Sequence, residues 1–571
     1  MTKINKVKFC LIFIIGLGFL LRVWGINFGL PYQSHQDEPI IVNHALAYGS
    51  GDFNPHFFII PPLTSYILFF FYGVYFVILK IFGVVANTEV FAISFFRNPT
   101  PFYVIGRIVI GVVPSICNVY LTYRLARIFF SEKVALCAAS IMAISFINTV
   151  NAHYIYTDNL LVFWVLLAYI KMASLIKQAN RKNYAMSAIF IALAAATKYN
   201  AILLLVPFLY THFYVSKKNI AGKLFNLNLA MASGVIIATF LLANPFAFLD
   251  WKFFLYSVTT RIRHGYIGWG HHLTYSLFEG IGGFMTLLAI AGLCLMLIRK
   301  YKIALFLVLF PFCFYIHLAY ASQPFSRYVL VLIPFLAIGL GYILFDFFSK
   351  WPRPKLLQTL CFIISVIVML PTVIKSIKAD MLFASEDTRL SAAHWIEQHI
   401  PVSSRILFDN TSFMPQLSQT TKQLQEKQTI IDKQPELKML KNKKLDFQIK
   451  AFKGNKTYEI YYLGDEAKGA GQFLNLWPII TGDAENLEKY KIEYIVFNNM
   501  TGSDKAKALH KVIYSRHKPV AIFNPYKDSQ FRSSYDMVDE TCLPVKDKEL
   551  FSRTKSGPYI IIYKIRQDEI I

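Results

Sequence analysis

The chain has 571 residues, 55% of them hydrophobic, with 51 Phe and 33 Tyr, a mean hydropathy of +0.44 and only 16% charged residues. An ordinary soluble domain carries about 25% charged residues, so a soluble globular protein is excluded. The long, repeated apolar runs read as membrane helices, because lipid offers backbone groups no water to bond. The net charge of +24 does not indicate nucleic acid. There is no zinc finger, RNP-like strand or basic-helix pattern, and many basic residues cluster between apolar runs, as in loops facing an anionic cytoplasmic surface.

The N-terminal stretch "MTKINKVKFCLIFIIGLGFLLRVWG" has the charge and hydrophobicity of a signal peptide but no small-residue cleavage motif. Arg22 and Trp24 read as interface anchors, so it is expected to be a retained first span. Expected spans are 8–29, 101–123, 134–151, 158–176, 183–197, 200–215, 225–243, 277–298, 303–320, 328–348 and 356–376. The segment 60–86 is also apolar enough to cross. Charge parity places it in or along the outer leaflet instead. With a cytoplasmic N-terminus and a helix break at Thr197-Lys198-Tyr199-Asn200, clusters such as Lys3/Lys6/Lys8, Arg124/Arg127/Lys133 and Arg299/Lys300/Lys302 all fall inside. Asp37, Glu38, Asp158, Lys198, the 244–276 loop and Arg327 then emerge together on the outer side, as does everything after residue 376.

The chain is expected to divide into a membrane domain, 1–376, with a long first outer loop at 30–100, and an outer mixed α/β domain, 385–571. "SAAHWIEQHI" has a helical apolar face, and "RILF", "YEIYYL", "IEYIVFNN" and "GPYIIIYKI" are strand-like. The Gln- and Lys-rich 413–450 region reads as a surface excursion. Of the seven cysteines only Cys542 lies in this domain, so it holds no internal disulfide. No metal-spaced cysteine cluster exists.

Chemistry is expected at the polar residues of the outer loops. Asp37 and Glu38 in "SHQDEP" are either a cap for the helix that follows, with Pro39 in its first turn, or a catalytic pair in which one acid takes a proton from an acceptor. Two adjacent carboxylates repel, so a cation partner is expected. Asp158 in "YTD" opens a span, where it either favours the helix dipole or joins Asp37 and His153 around a divalent ion, with Mg, Mn and Zn all open. Lys198, Arg261, Arg263, Arg327, Tyr328 and His56 are candidate phosphate-binding residues; outer basic residues run against the positive-inside bias, and an anionic lipid ligand accounts for that. The alternatives are snorkelling for Lys198, solvated loop charge for Arg261 and Arg263, and headgroup anchoring for Arg327. No P-loop or dinucleotide glycine motif is present, so no nucleotide cofactor is expected. Transfer of a sugar from a lipid-linked phosphate fits these groups, with a base, a cation for the leaving phosphate and a positioning loop. Other classes are a transporter, disfavoured because the acids lie in loops and no inverted repeat is apparent, and a non-enzymatic polysaccharide-assembly partner.

The order of Asp37-Glu38, "PPL" at 61–63, Arg107 opening a span, "YTD" ending at Asp158, "TKYN" at 197–200 and "RY" at 327–328 before Pro334 resembles the GT-C glycosyltransferases. The likeness is greatest to the protein O-mannosyltransferase and aminoarabinose transferase group and covers about residues 8–376. The resemblance implies a polytopic α-helical fold, a polyprenyl-phosphate-linked sugar donor, and a glycan, lipid A or protein acceptor at a bacterial inner membrane. It implies Asp37 as the catalytic acid of the first outer loop, Glu38 as its partner, Asp158 as the second outer-loop acid and Lys198 as a donor-phosphate contact. Ile60 stands where aminoarabinose transferases usually carry Lys and many mannosyltransferase-like members His. His56, one helical turn upstream, is expected to compensate.

Overall fold

The computed structural model describes residues 3–32, 37–260, 266, 268–321, 325–347, 354–409, 414–432, 438–452, 454–463, 479–480, 484–498, 504–527 and 546–565. The membrane domain begins with α1 (Lys3–Val23), which starts and stops earlier than the expected first span. It ends where Gly25 takes φ +83; a Cβ there would meet Phe383 at 2.7 Å, so the chain turns tightly against a later helix. The segment 30–100, expected as the first outer loop, holds three helices, α2 (Glu38–Ala47), α3 (Leu63–Ile81) and α4 (Thr88–Arg97). Within the expected 60–86 segment, α3 is long and apolar enough to cross a membrane. Composition alone therefore does not separate a span from a helix lying along the leaflet.

The bundle continues with α5 (Thr100–Phe129), the bent pair α6 (Glu132–Ile144) and α7 (Phe146–Ala152), then α8 (Thr157–Lys177), α9 (Arg181–Thr197), α10 (Tyr199–Val215) and α11 (Ile220–Ala243). After the short α12 (Trp251–Thr260) come α13 (Trp269–Arg299), α14 (Tyr301–Ala319), α15 (Ser326–Asp346) and α16 (Pro354–Ala384). Among the described residues eight helices, or nine if the bent pair is one span, are long and apolar enough to cross. The expected 134–151 span is bent by 54° at Ser145, an extended residue, after which the Phe146 amide donates to Thr372 Oγ1 of α16 at 3.1 Å. The expected break at 197–200 is present: α9 ends at Thr197, Lys198 is extended, and α10 starts at Tyr199. Residues of α6, α8, α14 and α15 dominate the buried core. Helices α13 and α15 touch backbone to backbone, since a Cβ on Gly292 would lie 2.0 Å from the Gly339 carbonyl oxygen.

Helix α16 leads to a C-terminal domain, expected to be the outer one, that opens with α17 (Thr388–His399), capped by Asp387 accepting from the Arg389 amide. Strands β1 (Arg405–Phe408), β2 (Glu459–Leu463), β3 (Ile479–Ile480), β4 (Tyr494–Asn498), β5 (Pro519–Phe523) and β6 (Ile560–Lys564) form one sheet in the order β3-β2-β1-β4-β6-β5. The first four run parallel and β6 is antiparallel to β4 and β5. The four strand-like segments of the sequence are β1, β2, β4 and β6; the two-residue β3 and β5 carried no recognised signal. Apolar side chains pack in two clusters: Leu407, Ile495 and Ile561 belong to one, and the alternate residues Ile406, Val496 and Ile562 to the other. The 413–450 region, expected as a surface excursion, contains helical segments. It includes α18 (Thr421–Asp432) and α19 (Lys438–Phe452), which share the small Leu424–Leu445 core, and α19 packs on α4. Near the C-terminus α22 (Asp547–Ser552), preceded by α20 (Ala484–Lys489) and α21 (Asp504–Arg516), meets the membrane domain. There Lys375 of α16 pairs with both Glu279 and Asp547.

Candidate active site

Asp37 and Glu38, adjacent in sequence, have different surroundings. Glu38 is completely buried, and its carboxylate accepts from Arg107 Nε and NH2, both at 2.9 Å, and from the Ile155 amide at 3.0 Å. Arg107 opens a π-helical segment of α5, a kind of bulge common at functional sites. It also donates to the Ile26 and Phe28 carbonyls and lies 3.9 Å from the Phe28 ring centroid. One ion pair thus joins the end of α1, the start of α2, α5 and the loop before α8. Glu38, expected as the partner of Asp37 in catalysis, has both oxygens engaged in a buried bidentate pair, an arrangement that orients the segment carrying Asp37.

Asp37 precedes α2 but makes no side-chain cap, so the capping alternative fails. Its Oδ2 accepts from Arg327 NH2 at 3.1 Å, and its side chain keeps 26% exposure. Arg327, on the 3-10 turn that opens α15, is buried; its NH2 also donates to the Tyr156 hydroxyl at 3.2 Å, and its guanidinium faces the Tyr156 and Phe325 rings at 4.3 and 4.1 Å. Asp158, in the first turn of α8, accepts from Lys198 Nζ at 2.8 Å. Lys198 Nζ lies 4.1 Å from the Tyr328 ring centroid. The network closes where Arg327 Nε and Asp158 Oδ2 face each other at 4.0 Å. Both atoms are buried and neither has a hydrogen-bond partner among the described residues.

The local sequence explains the placement. Lys198 is the single extended residue between two helices, and Tyr199 beside it donates to the Phe58 carbonyl of the first outer loop at 3.0 Å. The loop carrying Tyr156 is held from below: a Cβ on Gly111 of α5 would meet the Ala152 carbonyl oxygen at 2.2 Å, so only glycine permits that approach. Of the candidate residues, Asp37, Asp158, Lys198, Arg327 and Tyr328 come together. Tyr156 and Phe325 were not picked out; the signal available was only their position beside Asp158 and Arg327.

Two expectations are corrected. His153 is fully buried, with Nδ1 2.9 Å from the Thr149 carbonyl oxygen and Nε2 3.0 Å from that of Trp24, and it stacks on Phe383. It is spent in a packing contact and does not complete a metal set with Asp37 and Asp158. His56 sits in a loop at φ +46, paired with Asp52 at 2.9 Å, so it does not share a helix face with Ile60. Arg261 and Arg263 lie outside the described residues. No group of three His, Cys, Asp or Glu residues able to hold a metal occurs among the described residues. In this arrangement the cation between Asp37 and Asp158 is the Arg327 guanidinium.

Residues 103–248 match the family model for dolichyl-phosphate-mannose-protein mannosyltransferase. No curated protein matches the chain in sequence. Among solved structures, the Archaeoglobus fulgidus oligosaccharyltransferase in the apo form is similar at a TM-score of 0.51 and 12% identity, over 88% of this chain and 71% of that one. The same organism's AglB, in complex with an inhibitory peptide and a dolichol-phosphate, gives 0.50 and 11%, over 92% and 74%. ArnT from Cupriavidus metallidurans bound to undecaprenyl phosphate gives 0.50 and 12%, over 98% of both chains. The chain thus shares its fold with these proteins over most of its length, and the segment from α5 to α11 matches the mannosyltransferase family model.

Proposed function

We propose that the protein is an integral-membrane glycosyltransferase that moves a sugar from a polyprenyl-phosphate donor to a hydroxyl of a glycan, lipid A or protein acceptor. In this reading its N-terminus is cytoplasmic and its site faces outward from a bacterial inner membrane. The observation that carries the reading is the meeting of Asp37, Asp158, Lys198 and Arg327, drawn from four distant segments, around two buried and unspent polar atoms.

The apo network balances two carboxylates against two cations. A donor phosphate entering it competes for Lys198 and Arg327, and Arg327 Nε is a donor not yet used. Drawing Arg327 toward the phosphate loosens its hold on Asp37, which becomes available as a base. The acceptor O–H then attacks the anomeric carbon in line while its proton passes to Asp37. The bond from that carbon to the phosphate oxygen breaks, and polyprenyl phosphate leaves with the electron pair. Lys198 and Arg327 stabilise the charge that grows on it. Glu38 and Arg107 take no proton; they hold α2 and the Tyr156 loop in register. A transporter reading lacks comparable support, since the charged groups sit at the ends of helices rather than along a path through them.

The test is product formation by the purified protein with a panel of polyprenyl-phosphate sugars. Asp37→Asn is expected to lower turnover about 10²- to 10⁴-fold, the usual share of a general base, while donor binding persists. Equal turnover in both proteins would remove Asp37 from this role.

A further inference from the structure

The Tyr156–Asp158 segment begins beside a second group of buried charges that the transfer chemistry leaves unused. His153 is the first residue after α7, and its fully buried ring is flanked by the Phe28 and Phe383 rings. Nδ1 lies 2.9 Å from the Thr149 carbonyl oxygen, and Nε2 lies 3.0 Å from that of Trp24. A neutral imidazole carries one N–H, so it satisfies only one of these acceptors and sets its other nitrogen's lone pair against a carbonyl oxygen. Asp380 of α16 stands 3.9 Å from Nε2. It is fully buried, and neither carboxyl oxygen has a hydrogen-bond partner among the described residues. Other charged groups face the pair from the neighbouring elements. Arg22 of α1 acts electrostatically on both residues, and donates to Ser115 Oγ and to the Gly18, Ala143 and Met142 carbonyls. Arg107 of α5 also acts on His153, but Glu38 of α2 matches its charge.

One added proton resolves the conflict. Placed on the ring, it gives each nitrogen an N–H for its carbonyl and sets a cation beside Asp380. Taken away, it leaves Asp380 as counter-charge to Arg22 and costs the ring one of its two carbonyls. Thr149 is one turn from His153 in the chain, whereas Trp24 follows α1, so the Trp24 contact is the one that joins separate elements. We propose that His153 and Asp380 hold one proton between them, and that this proton clasps the Tyr156–Asp158 segment to the end of α1. Both are positioning residues. They act through Ile155, whose amide meets Glu38, and through Tyr156 and Asp158, which meet Arg327 and Lys198. The consequence for turnover rests on the glycosyl-transfer reading; the clasp itself does not.

The test is exchange of the imidazole C2 hydrogen in the full-length protein over a pH series either side of the ordinary histidine value, about 6.5. Peptide mass spectrometry then reads the titration midpoint of His153 itself. With Asp380 beside it, the ring is expected to hold its proton about tenfold more tightly than a free histidine, a midpoint about one unit higher. Asp380→Asn, close in shape but uncharged, should remove that gain. A wild-type midpoint at or below the ordinary value would overturn the proposal, as would a midpoint that Asp380→Asn leaves in place. Amide exchange over residues 149–158 reads the clasp: slow below the midpoint and, corrected for intrinsic rates, about tenfold faster above it. Equal exchange on both sides would overturn it. The folded pair keeps a proton that the unfolded histidine has lost, so its stabilisation is full below about pH 6.5 and fades as pH rises through the folded midpoint. The thermal midpoint of the wild type should therefore fall with pH relative to that of Asp380→Asn; a relative rise would mark a neutral buried ring and overturn the proposal. Turnover should decline through the same midpoint. A protein that titrates as expected but yields no product from any donor would uphold the clasp and defeat the transfer reading alone.

Discussion

Asp37 and Glu38 share a peptide bond but differ in environment. Glu38 is sealed, with a guanidinium across both oxygens and a backbone amide on one of them. Asp37 keeps a quarter of its side chain open and meets Arg327 through one nitrogen at 3.1 Å. The two ion pairs are therefore not equivalent. The Glu38–Arg107 pair ties α1, α2, α5 and the Tyr156 loop into a frame, whereas the Asp37–Arg327 contact is one that an incoming anion can compete for.

This contrast can be broken experimentally. After the loss of turnover expected of Asp37→Asn, the largest effect belongs to Glu38→Gln. Leaving Arg107 buried without its counter-charge is expected to cost about 3–5 kcal/mol, read as a lower thermal midpoint in detergent. Replacing both partners, as Glu38→Leu with Arg107→Met, should recover most of it. A fully stable but inactive Glu38→Gln protein would make Glu38 a chemical rather than a framing residue. Next, Lys198→Gln and Arg327→Gln should each weaken donor binding by about 1.5–3 kcal/mol, the worth of a hydrogen bond to a charged group. Arg327→Lys should rescue poorly because it loses the planar fork. Titration of labelled donor lipid measures both, and unchanged affinity would remove these residues from the phosphate site. A smaller effect is expected of chelation: with a guanidinium between the carboxylates, dialysis against EDTA should leave turnover nearly intact. A loss restored only by a divalent ion would contradict that geometry.

The smallest effect concerns Lys427, whose ammonium form is disfavoured in the fold. The unfolded chain then binds more protons than the folded one between about pH 7 and the ordinary lysine range near 10.4, so this group adds stability as pH rises through that window. Lys427→Met should flatten the rise and raise the outer domain's melting temperature on the acid side. An unchanged pH profile would show that Lys427 is not the group concerned.

Much of this was legible in the sequence because charge is costly in apolar surroundings. Lys198 between two alanine- and leucine-rich helices, and Arg327 at the head of a span, stood out for that reason, and both meet acids. The pairing itself was not legible. Adjacent acids announced a need for cations, but nothing in the spacing divided them between Arg107 and Arg327, which lie 69 and 290 residues away from their partners. His153 misled because its nearness to Asp158 in sequence suggested a shared ligand set. The turn between them points its ring toward Phe383 instead. Helix ends were blurred where apolar runs pass from lipid-facing to protein-facing surroundings, as in α3 and α13. Strand β5 was missed because its inward residues, Ala521 and Phe523, are only half-buried and give a weak alternation.

The 31 residues of α16 make a shaft about 46 Å long, against roughly 30 Å of bilayer hydrocarbon. Lys375 and Lys378 fasten its upper part to the outer domain's last helix and to the Arg553 carbonyl oxygen. A platform mounted on such a mast stands at a set height above the membrane. If the site faces outward, as proposed, substrates reaching it face a gauge of fixed clearance, and their own length and flexibility decide which of their hydroxyls arrives.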